Sequence, residues 1–214
     1  MEFSSTKTDV NDFKTLKQPK EREVFENKFI TPSKIGTNEE VYKSVEQLDT
    51  FAERISMSAS DKRDSTVGDF IHHAMCLWDG NRAKIEALAA AYGITTDIDS
   101  VVTSITSFWE WMERRYGKPR RLEQELPFTF ANDKGQVITG EIDLVYHTDK
   151  GAVLVDYKSY QNREENLLKE DNKFYAGKYS GQIALYEEAL KRSGIEVRDR
   201  LICYISLGQI FRFE

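Results

Sequence analysis

Two acids and an amine are the residues of this chain whose types and spacing could do chemistry together. Gln136 to His147 and Ala152 to Tyr157 alternate apolar and polar side chains, and Thr148-Asp149-Lys150-Gly151 joins them, so an antiparallel hairpin is expected. With the turn centred between Asp149 and Lys150, Asp143 lies opposite Asp156. Alternation then puts Ile142, Leu144 and Tyr146 on a core face with Val153, Val155 and Tyr157. The other face carries Glu141, Asp143, Val145 and His147 beside Ala152, Leu154, Asp156 and Lys158. Its far end gathers carboxylates and an ammonium. Like charges so close repel and lose hydration, and they need a compensating cation. Lys158 supplies one charge. A divalent ion would supply the rest, and hard oxygen ligands suit Mg2+ or Mn2+ better than Zn2+. The alternative is a plain salt bridge between Lys158 and an acid at a sheet edge. The acid-x-Lys pattern alone does not decide, because it recurs at Asp12-Phe13-Lys14, Glu26-Asn27-Lys28 and Asp171-Asn172-Lys173. None of those three follows an apolar run or faces a second acid across a turn.

Positioning these groups requires a sheet and helices to cover it. Leu122 to Phe130 reads as a strand tied to the next by Asn132-Asp133-Lys134-Gly135, and Arg200 to Leu207 and Gln209 to Phe213 read as the last strands. A helix is expected over Asn38–Ile55, through Val41, Val45, Leu48, Phe51 and Ile55. Another runs from a Ser65 or Thr66 cap to Trp78, with Ile71, Met75 and Trp78 on one face, and two more cover 81–92 and 97–116. In the last of these, Val101, Ile105, Phe108 and Met112 mark the buried stripe. After a charged loop at 160–177, Tyr179 to Arg192 reads as a helix closed by Gly194. Helices, a three-strand meander, a helix and further strands imply an α/β or α+β domain around one mixed sheet. Residues 1–28, charged and without an apolar period, read as an arm or linker, with 29–214 as the domain.

Composition narrows the partners. The 30 basic against 36 acidic residues of this 214-residue chain give a net charge of −6, so it does not coat nucleic acid by bulk charge. A polyanion would be met by a local patch or through metal ions. Arg114, Arg115, Lys118, Arg120 and Arg121 against Glu113 form one such patch, for which phosphate binding and a solvated helix end are both open. The loop 162–178 balances Arg163, Lys169, Lys173 and Lys178 against Glu164, Glu165, Glu170 and Asp171. Its length still suits a substrate gate. Cys76 and Cys203 are too few for a disulfide scaffold or a four-thiolate site. With no signal-peptide core and no 18-residue apolar run, a soluble protein of the reducing cytoplasm, away from membranes, is expected.

Gly140-Glu141-Ile142-Asp143-Leu144, then Val153-Leu154-Val155-Asp156-Tyr157-Lys158-Ser159, then Gly181-Gln182-Ile183-Ala184-Leu185-Tyr186 resembles the motif series of PD-(D/E)XK nucleases. The closest branch is the RecB-type nuclease domain at the end of AddA-type and RecB-type helicase-nucleases. Gly68-Asp69-Phe70-Ile71-His72 resembles that branch's upstream Gly-x-x-x-His helix, and Leu126-Pro127-Phe128 its strand before Gly-x-x-Asp. The likeness spans about Phe29 to the C-terminus. It implies a restriction-endonuclease-like fold, a mixed central sheet flanked by helices, and a Mg2+- or Mn2+-dependent deoxyribonuclease, an exonuclease of DNA repair or recombination. By the same resemblance Asp143, Asp156 and the Tyr157 carbonyl hold the metal, and His72 completes its shell. Lys158 contacts the attacking water or the scissile phosphate, and Gln182 and Tyr186 act beside them.

The residues themselves leave plainer readings open. Gln182 and Tyr186 share a helix face, but Tyr186 also fits an apolar stripe with Ile183 and Leu190. His73 points about 100° from His72 on a helix and is the weaker ligand. His147, near the turn, reads as structural, and Glu141 could act through a metal-bound water. Some members of the family carry an iron-sulfur cluster on four cysteines, which two cannot supply. The chain has no Gly-x-x-x-x-Gly-Lys-Ser/Thr segment, so a helicase motor would be a separate polypeptide, or this is the nuclease end of a longer protein. The rival functions are a catalytically inactive nucleic-acid-binding module of the same fold and a metal-free hydrolase using the carboxylate pair.

Overall fold

In the computed structural model, residues 28–38, 41–58, 66–159, 167 and 174–214 are described. They run β1 (Phe29–Ile30), β2 (Val45–Thr50), α1 (Thr66–Leu77), α2 (Arg82–Tyr92), α3 (Ile98–Tyr116), β3 (Arg121–Ala131), β4 (Val137–Thr148), β5 (Gly151–Tyr157), α4 (Ser180–Arg192), β6 (Val197–Tyr204) and β7 (Gln209–Phe213). The central hairpin has the register its turn requires, with Leu144 opposite Val155 and His147 opposite Ala152. On the other edge of β4 lies antiparallel β3, while β1 pairs in parallel with the start of β4. β5 and β6 are parallel, and α4 supplies the crossover that parallel neighbours need. Antiparallel β7 and β2 complete the mixed sheet.

Helices bury both faces of this sheet. Leu144, Tyr146, Val153, Val155 and Tyr157 pack in one core with Phe70, Ile71 and Met75 of α1 and with Val101, Ile105, Phe108 and Met112 of α3. The α3 stripe is the expected one, while in α1 Phe70 joins Ile71 and Met75, and Trp78 falls beyond the helix end, partly buried against the core. Ile142, Val145, Ala152 and Leu154 pack in a second core with Ile183, Tyr186 and Leu190 of α4. The hairpin's second face, read from the sequence as mixing Val145, Ala152 and Leu154 with charged residues, is thus covered by a helix over its apolar part. Ile142 departs from expectation by facing this second core. Glu125 in the neighbouring strand has φ +48°, in the left-handed region. The β3–β4 register passes from Gln124–Leu144 to Leu126–Ile142 across this residue and Asp143, so alternation restarts there.

The expected helix over 38–55 is also corrected: Val45–Thr50 is an edge strand beside β7. Val45 packs on the second core, and Leu48 and Phe51 pack on the first. Val45 and Leu48, three apart within the strand, point to opposite faces, and Phe51 lies just past its end. With a core on each face, such a strand imitates helical spacing. β6 begins at Val197 and ends at Tyr204, where Ile205–Leu207 turn into Gly208 at φ +65°. The cap options differ: Thr66 is already helical, and Ser65 lies outside the described residues, as do residues 1–27 of the arm and most of the 160–177 loop. Asn81 and Asp97 cap α2 and α3 by accepting from Ala83 N and Asp99 N.

Candidate active site

Asp143 and Asp156 meet where β4 and β5 separate at the end away from their turn. Both are buried. The backbone N–H of Tyr157 donates to Asp143 Oδ2 at 2.6 Å, which ties one acid to the strand bearing the other. The Tyr157 ring lies in the α1–α3 core, so only its backbone belongs to the site. Lys158 Nζ stands 2.6 Å from Asp156 Oδ2 and donates to Gln182 Oε1 at 3.3 Å. Gln182 Nε2 in turn donates to Asp156 Oδ1 at 3.0 Å and to the Tyr186 hydroxyl at 2.7 Å. Gln182 thus touches the acid directly, whereas Tyr186 reaches it only through Gln182 while packing in the second core, as its apolar stripe allowed.

His72 arrives on α1, its Nδ1 3.6 Å from Asp143 Oδ1. Gly68, one turn earlier, lets α1 approach: a Cβ there would lie 2.9 Å from Ser159 Oγ. On α4, a side chain at Gly181 would strike Gly36 and Ile35. His73 instead faces Tyr92 on α2, His147 Nε2 pairs with Glu123 Oε2 at 2.6 Å, and Glu141 is exposed. None of these three joins the site.

Sequence reasoning missed Glu125. One ligand atom each from His72, Glu125 and Asp143 lies within 4.8 Å of the others. Cys76, one turn beyond His72 on α1, places its thiol 3.5 Å from Glu125 Oε1. Burial, then the Glu125 charge, pushes that thiol up to about 12, so it is a neutral donor. The signal for Glu125 was the β3–β4 turn. Asn132 N bonds Gln136 O and Gly135 has φ +73°, closing a three-residue loop. A turn centred on Asp133 and Lys134 sets Gln124 against Asp143, whereas the real loop makes Leu126 the partner of Ile142 and brings Glu125 level with Asp143.

Electrostatics mark the cluster as short of positive charge. Burial, then the neighbouring Asp156, raises Asp143 well above the ordinary carboxylate range, with Lys158 and the Tyr157 N–H opposing. Burial likewise raises Asp156 against the pull of Lys158. His72 is lowered, chiefly by burial, which favours the neutral imidazole that can donate a lone pair. Oxygen donors with one imidazole, partly buried and under-neutralised, fit a hard divalent cation.

Buried carboxylates on adjoining strands, with an ammonium at one strand's end in a helix-flanked mixed sheet, are what a metal-using phosphodiesterase requires. The model of the PD-(D/E)XK nuclease superfamily matches residues 41–207, and the chain belongs to that superfamily. It is also similar to proteins whose names describe the A component of an ATP-dependent helicase/nuclease. It is 33% identical over 53% of this chain to the one from Anoxybacillus flavithermus, and 23% identical over 83% to that of Alkaliphilus oremlandii. The match to the Lactobacillus acidophilus protein is 30% over 42%. The matched segments span 10%, 17% and 8% of those relatives' own lengths. No helix among the described residues is long and apolar enough to cross a membrane.

Proposed function

We propose that residues 29–214 form a Mg2+- or Mn2+-dependent deoxyribonuclease domain that removes nucleotides from DNA ends. The observation carrying this reading is the buried Asp143–Asp156 pair with Lys158 at 2.6 Å and the Gln182 bridge. Asp143, Asp156 and the Tyr157 carbonyl, with His72 and Glu125, are the groups that would hold the ion. When bound, it supplies Lewis acidity at the phosphate oxygens and lowers the proton affinity of a water. The chain's own part is orientation. The Tyr157 N–H fixes Asp143 Oδ2, and Gln182, itself held by the Tyr186 hydroxyl, fixes Asp156 Oδ1. Lys158 Nζ, steadied by Gln182, directs its one remaining N–H at the attacking water or a scissile phosphate oxygen. Attack in line with the leaving ester oxygen breaks one P–O bond. The names of the relatives support work beside a helicase motor, in the same parent chain or in a partner protein, and with that motor we place the domain in DNA repair or recombination in the cytoplasm.

Cleavage of end-labelled linear and covalently closed circular DNA, by wild type and Lys158→Ala side by side, tests this. Wild type with Mg2+ or Mn2+ should degrade linear DNA and spare circles, and Lys158→Ala should lose on the order of 100-fold or more in rate. Equal attack on circles would sink the exonuclease assignment. Binding without cleavage under either ion would leave the inactive binding module in its place.

A further inference from the structure

We infer that Lys178, seated against Tyr175 and Tyr179 at the rim of the carboxylate site, binds a second phosphate of the nucleic-acid strand. This extends the nuclease reading and rests on it for the identity of the strand. Lys178 lies in the short turn Tyr175–Tyr179 that leads into α4. Its ammonium is 3.9 Å from the centre of the Tyr175 ring, hydrogen-bonds that residue's hydroxyl, and is 4.7 Å from the centre of the Tyr179 ring. Lys158 Nζ is 4.5 Å from the centre of the same Tyr179 ring. One tyrosine therefore carries the site lysine and a second cation.

The two lysines differ in what neutralises them. Lys158 is paired with Asp156, and Lys84, Lys118 and Lys191 also have carboxylate partners. Among the described residues no carboxylate is within ion-pair distance of Lys178; its contacts are aromatic. A ring face attracts and positions an ammonium without cancelling its charge. Lys178 is thus a half-buried, pre-oriented cation whose charge no described residue cancels, and ordering it costs an anionic ligand little. In a chain of net charge −6, such a local cation is what a polyanion would find.

Spacing names the ligand class. Both ammonium groups are less than 5 Å from one ring centre, so they lie within about 10 Å of each other, under about three steps of a strand that rises about 3.4 Å per phosphate. With one phosphate at Lys158, a near neighbour on the same strand is in reach of Lys178.

The test is titration of a fluorescein-labelled single-stranded oligonucleotide, with Ca2+ replacing Mg2+, across a salt series, alongside cleavage kinetics with Mn2+. Lys178→Gln should raise Kd and KM several-fold, keep kcat within about twofold, and flatten the slope of log affinity against log salt by about 0.7. Lys178→Arg should restore both, and Lys150→Gln, at the hairpin tip, should change neither. Wild-type affinity and salt slope in Lys178→Gln overturn the inference and leave the nuclease reading intact. A wild type that binds with this Lys178 dependence yet cleaves nothing confirms the phosphate contact and removes the nuclease reading. A wild type that neither binds nor cleaves overturns both.

Discussion

At the scale of single residues, the site holds function and stability in opposition. Asp143 and Asp156 both have raised proton affinity in the fold, so the metal-free folded state keeps protons that the unfolded chain releases. The sign follows: that strain is absent below the ordinary carboxylate range and grows as pH rises through it toward the folded values. Asp143→Asn keeps an oxygen for the Tyr157 N–H and removes one of the facing charges. At neutral pH in chelator it should melt higher than wild type by about 2–4 °C, for about 1 kcal/mol in a chain of this size. Mn2+ should raise the melting temperature of wild type but not of the variant. A variant that melts lower in chelator would show the carboxylates are not mutually strained. The pair itself was legible because a tight turn fixes register. Glu125 was not, since a left-handed residue and a three-residue loop displaced it by one position. His72 emerged from motif spacing alone, because nothing in α1 tells which flank of its buried stripe meets a sheet edge.

At the scale of elements, α4 must be fixed to the sheet for Gln182 to bridge Asp156 and Lys158. Glu187, five residues along, clamps it. Arg200 of β6 grips that carboxylate through both Nε, at 2.6 Å, and a terminal nitrogen, and Tyr42 and Lys191 add bonds. Burial opposes ionisation, yet the Arg200 and Lys191 bonds outweigh it and hold Glu187 at about 2. A depressed carboxylate stabilises the fold above its unfolded value near 4.5 and loses that contribution as pH falls toward 2. Glu187→Gln should therefore cost about 1.5–3 kcal/mol in urea unfolding at neutral pH, and the gap to wild type should close across that acidic window. A gap unchanged between neutral pH and pH 3 would mean that the carboxyl packs without acting as an ion. Helices with one buried stripe, such as α3, were readable from spacing. β2 was not, because a strand between two cores spends its apolar residues on both sides.

At the scale of the whole molecule, charge is placed locally. The basic run around the end of α3, open in the sequence both to phosphate binding and to a solvated helix end, lies toward the hairpin tip, away from the carboxylates. Arg120 pairs with Asp149 at the hairpin tip, Arg121 with Glu123, and Lys118 approaches Glu113 at 3.7 Å. Arg115 lies over Trp111 and Tyr116, 5.7 Å from each ring centre. From Gly151 at the tip to Asp156, β5 rises about 17 Å at about 3.4 Å per residue. A short strand seated at the carboxylates therefore does not need this patch, much of whose charge is already spent on carboxylates. Arg114→Gln with Lys118→Gln should leave KM and kcat for a short oligonucleotide within about twofold and the salt slope unchanged, since no released counterion belongs to these residues. If the doubly substituted chain instead shows a several-fold higher KM and a flatter salt dependence, the strand must run along the hairpin to its tip, and the track would begin at α3 rather than at the turn before α4.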